Sequence, residues 1–274
     1  MRTYQVLQVY WLIDLLSAVS VLQGKDEKNI PYCEVGPCYT VNLPCDNKGK
    51  VKQCYTNAKL LREKDYRYIL QDTFNKLRNN VAGGKTYRNL PTAARMGRMI
   101  WNKELAYFAK LDVSRCEVSP RPCMSSSNFD LISSLAGVTE YVPDNSTSKM
   151  AEAIQSIALN WFKDIRSITR LDTLHLAVAA KESGILSAAL LLIEHNTQFG
   201  CAALRYWNDV YYYVILSCVF GTDNQDGQWI YKWGVSPGIN CRRQDKTYIN
   251  LCARGETYET KKPKTHFARI RKDW

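Results

Sequence analysis

The chain has 274 residues, 46% hydrophobic and 23% charged, with seven Trp and seventeen Tyr, which suffices for one large domain or two small ones. Its net charge of +11 favours acidic partners such as anionic glycans, lipid head groups or acidic proteins, and carries no information about the fold. Beyond the first two dozen residues no segment is apolar for long enough to span a bilayer, which needs about 20 residues.

The opening is built for export. Met1-Arg2 supplies a short positive start, and an apolar run from Val6 to Leu22 ends in the small residues Ser17, Ala18 and Ser20. That is the three-part layout of a cleaved signal peptide, placed at 1–22 with cleavage expected between Ser20 and Lys25. Gln8 and Asp14 interrupt the run, which makes it a poor membrane anchor. Removing the first twenty residues takes away Arg2 and Asp14 together, so the charge is unchanged.

Four of the ten cysteines, Cys33, Cys38, Cys45 and Cys54, crowd into a Pro-, Gly- and Asn-rich stretch, read as a loop-dominated segment (23–60) held by bridges rather than a core. The others are Cys116, Cys123, Cys201, Cys218, Cys241 and Cys252; an even count behind a signal peptide reads as a disulfide framework. Metal binding would call for Cys-x-x-Cys pairs, and the chain has none.

From Asp65 the pattern turns helical. Tyr66, Ile69, Leu70, Thr73, Leu77 and Val81 recur at helix spacing, with Gly83-Gly84 as a stop. Leu105–Leu111 repeats the pattern behind Asn102, a candidate N-cap. Asn145-Ser146-Thr147 is a glycosylation sequon at Asn145, meaningful only on a secretory route. A third helix is expected over about Lys149–Ile165, with Met150, Ile154, Ile157, Trp161 and Ile165 on one face, Ser148 as cap and Glu152 in the first turn. Between Ser183 and His195 a nearly continuous apolar run reads as a buried helix, with a buried strand as the alternative.

Cys201–Tyr206 and Tyr211–Phe220 carry the strongest strand signal. Pairing them about Asp209–Val210 sets Cys201 opposite Cys218, so one bridge can cross the hairpin. Helices and strands alternate without a βαβ rhythm, which predicts an α+β fold with helices over a mainly antiparallel sheet.

Several segments resemble one family. Asn75-Lys76-Leu77-Arg78-Asn79-Asn80-Val81-Ala82-Gly83-Gly84 is similar to the first conserved helix of the CAP superfamily, which groups cysteine-rich secretory, antigen-five and plant pathogenesis-related proteins. Ala93-Ala94-Arg95-Met96 with Met99-Ile100-Trp101-Asn102-Lys103-Glu104-Leu105-Ala106 resembles its AA-x-M…M-x-W-x-x-ELA block. Phe199-Gly200-Cys201-Ala202 with Tyr213–Cys218 resembles its terminal hairpin, and the four-cysteine start opening Tyr32-Cys33 is similar to the insect antigen-five branch of venom and salivary allergens. The likeness runs over about 32–235; a CAP domain is set at 61–235, followed by an extension at 236–274.

The resemblance implies an α-β-α sandwich and the bridges Cys33–Cys45, Cys38–Cys123, Cys54–Cys116 and Cys201–Cys218, which leaves Cys241–Cys252. Relatives with an intact cleft carry two His and two acids, and the His pair can hold a divalent metal. At the matching positions this chain has Pro120 and Ile185 for the histidines, Asp164 for one acid and a residue near Ser134 for the other. Proline and isoleucine side chains offer neither a lone pair nor a titratable proton. The cleft is therefore read as degenerate, with no catalytic residue, metal or cofactor expected. Asp164 is either a relic of the cleft or the exposed end of the third helix.

His175, His195 and His266 fit no metal-ligand spacing and are read as structural or surface residues. Ser187 sits in an apolar run without a partner base and is no nucleophile. Tyr211-Tyr212-Tyr213 reads as strand packing before a lipid pocket. The tail from Lys261 packs six basic residues into fourteen positions, interleaved with Phe267, Ile270 and Trp274, and reads as a solvated end or an anchor to anionic surfaces.

The expectation is a secreted, non-enzymatic protein that binds an extracellular protein partner or an anionic glycan or membrane surface. The setting would be an insect salivary, venom, haemolymph or reproductive fluid. A small-lipid carrier holding a sterol or fatty acid is the alternative, as the resemblance allows. Nucleic acid is argued against by the secretory route. A protease is disfavoured by the cleft, and a channel toxin by the presence of only two cysteines after Cys218.

Overall fold

A computed structural model describes residues 32–51, 54–87, 89–142, 147–208 and 210–258. The signal segment, the sequon at Asn145 and the tail from Lys261 lie outside the described residues.

The described chain forms an α-β-α sandwich. In chain order its elements are β1 (Lys59–Leu60), α1 (Arg67–Ala82), β2 (Ile100–Trp101), α2 (Lys103–Val113), β3 (Ser133–Tyr141), α3 (Thr147–Asn160), α4 (Arg170–Leu174), α5 (Ser183–Leu192), β4 (Gln198–Trp207) and β5 (Tyr212–Phe220). The sheet order is β1-β4-β5-β3, antiparallel throughout, with β2 joining β4 in parallel.

The strands alternate sides, and each side finds its own layer. Ala202, Leu204, Ile215 and Val219 pack with Leu105, Phe108 and Leu111 of α2. Cys201, Ala203, Leu216 and Phe220 pack with Leu70 and Phe74 of α1, Ile154 of α3 and Leu190 of α5. Phe74 is the hub, with ring centroids at 5.1 Å from Phe199 and 6.1 Å from Phe220.

The helix starts and stops are locally encoded. Asn102 caps α2 through Oδ1, which accepts from the backbone N–H of Glu104 and Leu105. After α1 the chain turns at Gly84 with φ +68, and a side chain there would meet Thr92. The run after Ser183 is a helix, not a strand.

The third helix departs from expectation. It begins at Thr147, so Ser148 lies inside it rather than capping it and Glu152 falls beyond the first turn. It ends at Asn160, and the chain tightens into a 3-10 turn, Lys163–Ser167. Trp161, Phe162 and Ile165 are all buried around Phe74 and its neighbours, and consecutive aromatics cannot both face one side of an α-helix.

All ten cysteines are paired, as Cys33–Cys45, Cys38–Cys123, Cys54–Cys116, Cys201–Cys218 and Cys241–Cys252. Cys201 and Cys218 are direct cross-strand partners with Cα atoms 4.0 Å apart. The N-terminal segment is a series of 3-10 turns tied down by buried Asn42, whose Nδ2 donates to the carbonyls of Tyr32 (2.8 Å) and Ser125 (2.9 Å). Residues 236–258 pack onto the main core, where Tyr248 and Leu251 join the α1 side.

Candidate functional site

The segment Thr222-Asp223-Asn224, just past β5, is contacted by the chain neighbours of two of the four cleft positions, Pro120 and Ile185. Pro120 is exposed in the loop after α2, its carbonyl accepting from Arg115 Nη2 at 3.0 Å. Its neighbour Arg121 reaches Asp223 with Nη1 3.8 Å from Oδ1. Both partners are solvent-exposed, so this ion pair adds little stability. Ile185 is half-buried against the core on the first turn of α5, and the next carbonyl, of Leu186, accepts from Asn224 Nδ2 at 2.8 Å.

Asp164 stands on the 3-10 turn after α3, with its Oδ2 1.9 Å from where a β-carbon on Gly184 would be. Only glycine lets α5 approach this carboxylate so closely. Asp164 therefore lies on a turn packed closely against the start of α5, next to Ile185 in the chain's path.

Ser134 is not with them. It is buried in β3 directly opposite Val219, and so faces the α2 layer. The preceding Ser133 faces the other way and donates Oγ to the Thr222 carbonyl at 2.5 Å. A strand exposes alternate residues to alternate sides, so an offset of one residue reverses the face.

Beside this junction lies a small pocket of mixed lining, with Leu176, Ile193 and Ile230 facing His195, Asn224 and Trp229. The Asn224 Oδ1 is buried without a hydrogen-bond partner among the described residues. His195 Nε2 lies 3.2 Å from Thr222 Oγ1. Burial, and then the Arg78 cation, push its pKa down to about 4, so the ring is neutral at physiological pH. Glu194 is raised by burial, an effect opposed by the N–H of Lys232 at 2.9 Å and Trp229 Nε1 at 3.3 Å.

Residues 71–220 match the profile of the CAP, or Cysteine-rich secretory protein, family. The chain belongs to the CAP family. Tablysin 15 of Tabanus yao is 28% identical over 251 residues, covering 90% of this chain and 96% of its own length. The antigen 5 like allergen Cul n 1 of Culicoides nubeculosus is 26% identical over 211 residues, covering 74% and 93%. These relatives put the chain among insect antigen-five-like CAP proteins. The crystal structure of NaASP2 with Zn2+ superposes with a TM-score of 0.51 at 20% identity, over 69% of this chain and 95% of that one, and so shares the fold.

A CAP metal does not fit the residues found here. Pro120 and Ile185 provide no donor atom, and among the described residues no three His, Cys, Asp or Glu side chains are grouped to hold an ion. Of the other expectations, His175 is exposed at the end of α4, its ring over Gly227. His266 lies outside the described residues. Ser187 donates its hydroxyl to the Ser183 carbonyl one turn back, at 2.9 Å. Tyr212 and Tyr213 pack along the hairpin, Tyr213 stacking on Tyr206 at 5.1 Å and Tyr212 tilted against Trp207 at 4.9 Å.

One residue was missed as an organiser of the site. Arg78 is wholly buried, and its guanidinium donates to the carbonyls of Gly97, Leu191, Ile193 and Glu194 at 2.5–3.3 Å. It fastens the end of α5, and with it the His195 side of the pocket, to α1. Burial lowers its pKa to about 10, which still leaves it charged. The signal was present: position 78 continues the buried i, i+4 row of Leu70 and Phe74.

Proposed function

We propose that the protein is a secreted, non-enzymatic CAP protein that acts by binding extracellular proteins. The reading rests foremost on one contrast: the motif positions where relatives are expected to carry the cleft histidines hold Pro120 and Ile185, while the scaffold, with five bridges and a full core, is intact. Chemistry at such a cleft needs lone pairs and transferable protons, and Asp164 alone supplies one carboxylate. Relatives such as Tabinhibitin 1 of Tabanus yao, 28% identical over 96% of its length, support an extracellular life in an insect secretion. Salivary, venom and reproductive fluids are the settings this reading allows.

Two measurements test it. Calorimetric titration of zinc into the tag-free protein is expected to show no saturable micromolar site. A site abolished by Asp164→Ala would overturn the reading, because the cleft would then be a working ligand set. Co-purification from the native secretion is expected to yield a protein partner at defined stoichiometry. Recovery without such a partner, together with a lipid of defined mass in native mass spectrometry, would favour the small-lipid carrier instead.

A further inference from the structure

We propose that the disulfide-closed loop from Cys241 to Cys252, with the arm that follows it, is a binding site for sulfated polysaccharide. The inference takes from the functional reading only that the protein works outside cells, where such polymers are found.

The loop is a short two-armed structure clamped by Cys241–Cys252. Asp245 N–H donates to Leu251 O and Ala253 N–H to Arg243 O, both at 2.8 Å, around the Gln244–Cys252 bridge. Arg242 and Arg254 are exposed next to this hydrogen-bonded pair, one on each arm. Like charges held on neighbouring arms repel, and a bound polyanion offsets that repulsion. Arg243 and Lys246 are exposed on the same loop, and Gly255, with φ +85 and open space around it, turns the chain at the edge of the site.

The acids of this region are all committed elsewhere. Residues 241–256 contain two, Asp245 and Glu256. Asp245 accepts from Arg98 Nη1 at 2.9 Å and from the N–H groups of Thr247 and Tyr248. Glu256 takes Arg95 Nε at 2.8 Å and the backbone N–H of Arg242. Arg242, Arg243, Lys246 and Arg254 have no carboxylate among the described residues. Four exposed cations of one sign suit a polymer that repeats its negative charge, and arginine's planar fork matches a sulfate's oxygens.

A membrane surface fits less well. Within 241–256 the exposed large apolar side chain is Ile249, while the aromatic Tyr248 is buried. The loop thus lacks the exposed aromatic anchor of an interfacial segment. The last described residue, Tyr258, is fixed beside the loop, its hydroxyl donating to Arg95 O at 2.9 Å.

The test is retention on immobilised heparin, measured across sodium chloride concentrations with the full chain. Arg242→Gln/Arg243→Gln/Lys246→Gln/Arg254→Gln is compared with Lys59→Gln/Lys85→Gln/Lys103→Gln/Lys163→Gln, which removes equal charge elsewhere. The loop variant is expected to bind roughly tenfold or more weakly, with a shallower salt dependence, as loss of counterion-releasing contacts dictates. The control should stay near wild type, and both should melt with it. Equal losses in the two variants would overturn the site, because net charge alone would then govern binding. So would retention that survives in the loop variant but vanishes in a chain ending at Thr260. Loop-dependent binding to phosphatidylserine vesicles with none to heparin would assign the loop to membranes and overturn the glycan. Partner capture from the secretion, scored separately, keeps failure here distinct from failure of the protein-binding reading.

Discussion

A single buried side chain can set how the fold responds to pH, and His195 is the one placed to do so. Its pKa is pushed down to about 4 from 6.5, so the folded protein resists taking up a proton that the unfolded chain accepts. Between about 6.5 and 4 the unfolded state binds more protons, and stability falls as pH drops through that window. Below it the effect is complete and adds no further slope. Glu194 and Asp112, both raised by burial, act in the opposite sense, since their folded pKa values exceed the unfolded ones. The informative quantity is therefore the difference between wild type and His195→Gln. Melting temperatures from pH 7 to pH 4 are expected to fall less steeply in the variant; parallel curves would show that the ring protonates freely in the folded state. At this scale the sequence was legible where the signal is local: Asn102 can be read as the cap of α2 from its place before an apolar helical run. Arg78 was harder, because a positive residue inside an apolar row looks like a surface residue until its carbonyl partners, far along the chain at Gly97 and Leu191–Glu194, are seen.

Elements were readable in proportion to how local their signal is. The β4–β5 hairpin announces itself through aromatic and branched residues and a cysteine pair in register, and α1 and α2 through apolar spacing and caps. β3 went unread because Ser133, Ser134, Gly137 and Glu140 have weak strand propensity; it exists because β5 offers nine partners along its open edge. How closely two elements approach is likewise invisible in propensities. Gly200 in β4 lies under the first turn of α2, and a β-carbon there would stand 2.1 Å from Ala106 N and 2.6 Å from Asn102 O. These are backbone atoms, which cannot swing aside as a side chain would. Gly200→Ala must push α2 off the sheet and loosen the packing of Leu105 and Phe108, so it is expected to cost about 3 kcal/mol or more, at the upper end of overpacking penalties. Chemical denaturation monitored by tryptophan fluorescence will measure it. A midpoint within experimental error of wild type would mean that the helix has slack the packing does not show.

For the whole molecule, the question is what the core requires to close. The family profile ends at residue 220, yet the chain does not finish its packing there. Cys252 N–H donates to Met96 O and Arg98 N–H to Cys252 O, while Gly238 and Asn240 donate to Ala93 and Ala94. Leu251 is fully buried, and Tyr248 reaches Asp72 of α1 with its hydroxyl at 2.9 Å. Arg98 and Arg95 draw their carboxylates from this same stretch, so its loss leaves two cations unpaired, one of them largely buried. No motif announces this role, because the contacts join residues some 150 positions apart and depend on a core already formed. Burial of Leu251 alone is worth roughly 1.5–3 kcal/mol. A chain ending at Val235 loses that, the hydrogen bonds and both ion pairs, and because Cys241 and Cys252 leave together it acquires no stray thiol. Each kcal/mol lost moves the midpoint by about 2–4 °C at this size, so the shortened chain is expected to melt at least 10 °C lower or to fail to fold. A chain ending at Thr260 retains every one of these contacts and is expected to melt with the full-length protein. Calorimetry on the two truncations decides the matter: if the shorter one unfolds within two or three degrees of wild type, residues 236–258 are an appendage and the core closes without them.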